Sequence, residues 1–74
     1  MNDRLEAQTA LANLLLQKIR QDTYPSATQM DLLEQIIPRQ LVRDYVNVLL
    51  EKVLIDRWSS NSMLLRLARI TQAI

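Results

Sequence analysis

Few side chains in this 74-residue sequence could do chemistry, and the missing types say as much as those present. Histidine, cysteine and glycine are all absent. Without the first two there is no side chain titrating near neutrality as a general base, no thiolate nucleophile and no soft metal ligand; without glycine there is no tight loop to cradle a phosphate. Asp31 and Glu34 stand one helical turn apart and could share a cation. A metal site in a helical bundle draws on histidines and further inward carboxylates, so the pair reads as two solvated groups on an outer face. The expectation is a non-enzymatic protein with no cofactor and no bound metal.

The basic residues are more suggestive. Residues 1–56 hold six bases and eight acids, whereas 57–74 hold Arg57, Arg66 and Arg69 and no acid. Those three arginines give one reading: a small nucleic-acid-associated regulator using its last helix. Against it, basic side chains suit the negative end of a helix, and nucleic-acid binders are usually more basic than the pI of 8.2 found here. Arg39 and Arg43 break a local rule: they are like charges four apart at the start of a helical pattern, where the helix dipole and mutual repulsion each disfavour them by a few tenths of a kcal/mol. Either Asp31, Glu34 or Asp44 pairs with them, or an acidic partner does.

Around these residues the sequence writes helices. Leu, Ile, Val, Ala and Met carry most of the 49% apolar share, a helix-forming vocabulary. A first helix is expected from Asn2 or Asp3 to about Arg20 or Gln21, with Leu5, Ala12, Leu15, Leu16 and Ile19 as its apolar stripe, widened by Leu11 and Leu14. A corner follows at Asp22-Thr23-Tyr24-Pro25-Ser26, with Ser26 and Gln29 forming a capping box for a short second helix through Met30, Leu33, Ile36 and Ile37. Pro38 suits the first position of a third helix, which runs through Leu41, Val42, Tyr45, Val46, Leu49, Leu50 and Val53 to about Ile55. Ser59 or Ser60 then caps a fourth, lined by Met63, Leu64, Leu67, Ile70 and Ile74.

The corner returns 34 residues later as Asp56-Arg57-Trp58-Ser59-Ser60, and aligning 15–37 with 49–71 gives seven identities in 23 positions. The fold expected is therefore all-α: one domain over 1–74, built as two repeated helix-turn-helix hairpins, 1–37 and 38–74, with approximate internal two-fold symmetry. The corner reads first as punctuation; a functional reading makes Tyr24 and Trp58 paired recognition side chains.

The third helix has more apolar residues than one core face needs. Leu41, Val48 and Ile55 recur at seven-residue spacing beside the main stripe and form either the far side of a central helix or a seam for another helix. The reading favoured is a small protein–protein interaction or adaptor module, self-associating through helix 3 as a homodimer or docking on another protein, with Leu41, Val48, Ile55, Arg39 and Arg43 at the contact. No apolar run reaches the roughly 18 residues of a membrane span, and the N-terminal residues lack the form of a signal peptide, so a cytoplasmic protein with no membrane partner is expected. The nucleic-acid alternative is decided by a mobility-shift titration at low and high salt: binding through Arg57, Arg66 and Arg69 should weaken steeply as salt rises, and no retardation at low salt ends that reading.

Overall fold

Four helices and no strand make up residues 3–55 and 60–73, the residues described by the computed structural model of the chain. They are α1 (Asp3–Gln21), α2 (Ala27–Ile36), α3 (Arg39–Leu54) and α4 (Asn61–Ala73). Residues 1–41 and 42–74 form two compact units. None of the helices among the described residues is long and apolar enough to cross a membrane.

Local chemistry sets the helix ends. Asp3 and Glu6 lie in the first turn of α1 and Lys18 and Arg20 in the last, matching the helix dipole at both ends. Asn2, the other cap considered, lies outside the described residues. The last turn closes with Asp22 N donating to the Lys18 carbonyl at 3.1 Å, and the chain bends at Thr23 and Tyr24. Gln29 N then donates to Ser26 Oγ at 3.1 Å while Ser26 N donates to Gln29 Oε1 at 3.4 Å, the reciprocal capping box that starts α2.

α2 ends because Pro38 follows Ile37. The proline ring excludes helical geometry from the residue before it, and Ile37 is extended at φ −61° and ψ 124°, its own N–H still reaching the Leu33 carbonyl at 2.7 Å. α3 begins at Arg39, one residue later than the position expected for Pro38. The proline contributes from just outside, its carbonyl accepting from Leu41 N at 2.9 Å. At the fourth helix Ser60 is the cap, its Oγ accepting from Met63 N at 3.2 Å and its carbonyl from Leu64 N at 3.0 Å. Asp56, Arg57, Trp58 and Ser59, the rest of the second corner, lie outside the described residues, as does Ile74.

In the first unit α2 packs against α1, the hairpin that a five-residue corner dictates. At 1.5 Å per residue the ten residues of α2 reach about 15 Å and the nineteen of α1 about 28 Å, so the short helix covers only half of the long one. The burial follows that arithmetic. Ala12, Leu15, Leu16 and Ile19, in the half of α1 nearer the corner, are buried with Met30 and Leu33 of α2, and Pro25 is buried at the corner itself. Leu5 is exposed, because the expected stripe runs on beyond the end of α2; Leu11 and Leu14 are exposed on the side of α1 turned away.

In the second unit Tyr45, Val46, Val48, Leu49 and Lys52 of α3 and Met63 and Leu67 of α4 are buried. Spacing of 34 pairs equal fates at some positions only. Ser26 and Ser60 are both caps, and Leu15/Leu49 and Leu33/Leu67 are all buried. Leu16 and Met30 are buried while their counterparts Leu50 and Leu64 are exposed, and Lys18 is exposed while Lys52 is buried. The buried residues Ala12, Leu15, Leu16, Ile19 and Met30 are matched in burial 33 residues on, by Tyr45, Val48, Leu49, Lys52 and Met63. One residue on a helix is a rotation of about 100°, so the helices of the second unit bury a different face from the one their sequence likeness suggests.

Urea unfolding followed by far-UV circular dichroism tests this packing. Leu33→Ala should cost about 2–5 kcal/mol through loss of packing and a residual cavity, and Ser26→Ala about 1 kcal/mol through loss of the cap. Leu14→Ala should stay within about 0.5 kcal/mol of the parent.

Candidate interaction surface on helix α3

The residues singled out on the third helix divide between two of its sides. At about 100° per residue, Leu41, Val48 and the position of Ile55 share one line, while Arg39 and Arg43 lie about 160° round the helix from it. No single flat contact takes both groups. The line itself is not uniformly open: Val48 is 4% exposed and belongs to the core, Leu41 is half-buried, and Ile55, in the turn after α3, is 69% exposed. Val48 points inward because the buried arc of α3 runs from Val46 through Leu49, Tyr45 and Lys52 to Val48, nearly half of the circumference.

Arg39 and Arg43 are exposed, and neither side chain makes a hydrogen bond or ion pair with any described residue. The pairing considered with Asp31, Glu34 or Asp44 is not made. Asp31 and Glu34 are each engaged elsewhere, and Glu34 is half-buried. Asp44 follows Arg43 directly in sequence, and adjacent residues on a helix do not face each other. Among the described residues, nothing neutralises these two guanidinium groups over the first turns of α3, where the helix dipole is also positive.

Continuing along the same side, Leu50 and Leu54 fall with the two arginines within about 60° of arc. Leu50 is 39% exposed and Leu54 75%. No acid lies in that arc: Asp44 and Glu51 fall at least about 60° from any of these four residues. The result is an exposed edge with its cations at the N-terminal end of α3 and its apolar side chains at the C-terminal end. Sequence spacing contained this edge, since Arg39, Arg43, Leu50 and Leu54 differ by four, seven and four. The seven-residue stripe draws attention to the other side of the helix, and Leu50 enters only as one of the apolar residues of the pattern, like its buried counterpart Leu16.

Several polar side chains elsewhere are engaged. Lys52, missed from the sequence, is buried at 5% exposure and engaged; its place in the buried arc between Tyr45 and Val48 was the available signal. Arg66 is half-buried and Arg69 exposed, both engaged, and Arg57 lies outside the described residues. Tyr24 is exposed and engaged at the first corner; Trp58 is not among the described residues. A shallow hollow on α1 is lined by Leu5, Glu6, Thr9, Ala10 and Asn13, but Thr9 Oγ1 donates to the Leu5 carbonyl at 2.9 Å and Asn13 Nδ2 to the Thr9 carbonyl at 3.1 Å. Among the described residues no three Asp or Glu side chains gather as a metal-binding group would. No protein-family model, curated protein or solved structure matches this chain.

The placement of the seven-residue stripe gives a direct test. Val48→Glu buries a carboxylate in the core and should abolish cooperative thermal unfolding, whereas Ile55→Glu should leave helicity and midpoint close to the parent. Circular dichroism melts of the two variants make the comparison.

Proposed function

We propose that the protein is a small non-enzymatic interaction module that engages another protein through the exposed edge of α3. The observation that carries this is the Arg39, Arg43, Leu50 and Leu54 arc: exposed leucines continue the line of two cations that have no partner among the described residues. Either feature alone is ordinary. Scattered exposed leucines need no explanation, and a surface arginine is well solvated; their alignment on one rigid element is what a docking helix requires.

Magnitudes set the scale of the contact. Leu50 and Leu54, 39% and 75% exposed, together have about one leucine's worth of surface left to bury, or about 2–3 kcal/mol, and two rim ion pairs add about 0.2–1 kcal/mol each. Association itself costs at least about 4 kcal/mol in lost freedom, so this edge alone supports at most a weak complex. It acts as the anchor of a larger surface, in which Leu41 and Ile55, on the other side of the helix, have no part. The likeness of 1–37 to 38–74 belongs to the same proposal: duplication of one hairpin, supported by the shared serine caps, followed by a rotation of the buried face that exposed Leu50 where Leu16 is buried.

The test places a photo-crosslinking amino acid at Leu54 of the full chain in its native cell. A discrete crosslinked species is expected, lost when Arg43→Glu is added, with the helical circular dichroism of the purified double variant unchanged. Light scattering of the pure protein at high micromolar concentration reports whether the species contains a second copy. Absence of any Leu54 crosslink overturns the proposal.

A further inference from the structure

Resting on that reading of the α3 edge, we infer that its occupant is an acidic amphipathic helix of another protein and not a second copy of this chain. The edge has a polarity of its own: cations in the first turns, leucines in the last turns, no acid between them. A second copy presents the same polarity. Set parallel on this arc, two copies bring Arg39 and Arg43 against their own equivalents, and no carboxylate among the described residues pairs with either guanidinium to relieve the repulsion.

Set antiparallel, Arg43 falls opposite Leu50 of the other copy and Arg39 opposite Leu54, since both pairs are centred on the same point of α3. Every leucine would then be covered by a charged head group. A register that joins leucine to leucine overlaps the two helices by little more than their last turn. Self-pairing therefore fails in each arrangement, by charge, by mismatch or by area.

A helix with two carboxylates one turn apart and, two turns further along the same face, two large apolar residues one turn apart satisfies all four positions at once. Its carboxylates meet Arg39 and Arg43, and its apolar residues meet Leu50 and Leu54. Arginine presents several donors to a carboxylate in a fixed fork, which favours this pairing over looser anion attraction. An anionic membrane fits less well. A surface-lying helix spreads its bases along a polar face beside a broad apolar one, whereas here both cations sit at one end and only two leucines follow.

The experiment uses the full-length protein and a fluorescently labelled helical peptide carrying two leucines and two glutamates at the spacing just described, read by anisotropy. A companion peptide has lysine for both glutamates. Phosphatidylserine–phosphatidylcholine vesicles and a duplex DNA serve as separate probes. The glutamate peptide is expected to bind, to weaken as salt is raised, and to lose about tenfold or more in affinity with Arg43→Glu or with Leu54→Glu. The lysine peptide should recover binding to the Arg39→Glu/Arg43→Glu double variant, in which both charges of the edge are reversed. Equal binding of both peptides to the parent overturns the inference, as does binding of vesicles or DNA without the glutamate peptide. A Leu54 crosslink in cells together with no glutamate-peptide binding retires the acidic helix and keeps the interaction surface; absence of both retires both.

Discussion

A ten-residue helix cannot cover a nineteen-residue one, and much of the exposed surface of the first unit follows from that limit. The capping box at Ser26 starts α2 at one point and Pro38 stops it at another, so its length is fixed from both ends. The half of α1 nearer the corner is packed; the half that carries Leu5, Thr9 and Asn13 is left to solvent and to its own side chain–backbone hydrogen bonds. A chain without glycine has few other ways to turn sharply. Serine caps start its helices and proline stops them, and both act only at particular residues.

That dependence on local chemistry explains what could be read from the residues alone. The helix boundaries, the capping box and the all-helical character follow from side chains acting within one or two turns of themselves. Burial does not, because it depends on which neighbour arrives and how far it reaches. Leu5 continues a good apolar stripe and is exposed; Val48 sits beside the main stripe and is buried; Lys52 is charged and buried. Each is decided by a neighbouring element that periodicity within one helix does not encode. The repeat misled in the same way, since identities 34 residues apart marked shared turn chemistry while burial in the second unit follows a spacing of 33 at several positions.

The α3 edge follows from that change of spacing. In α1 the side that holds Leu16 faces the core; in α3 the equivalent Leu50 stands at the border with solvent, and Leu54 continues it outward. Arg39 and Arg43 occupy the other end of the same border, where a buried position would demand a partner and a solvated one does not. α3 thus has two usable sides: one is buried in the second unit, the other carries charge and apolar area in a fixed order. A surface of this kind distinguishes partners by the order of their residues along a helix more than by total charge, since the net charge of the chain is only +1.

The chain has only two lysines, Lys18 and Lys52, at equivalent places in its two halves, one exposed and one buried. Acyl transfer to an amine needs the nitrogen to meet its reagent, so the folded protein offers Lys18 to acetylating enzymes or to amine-reactive dyes and withholds Lys52. Derivatisation at Lys52 is then a record that the second unit has opened, written covalently and readable by mass after the protein has refolded. Each half of the molecule carries its own lysine, and only one of the two reacts while the fold is intact.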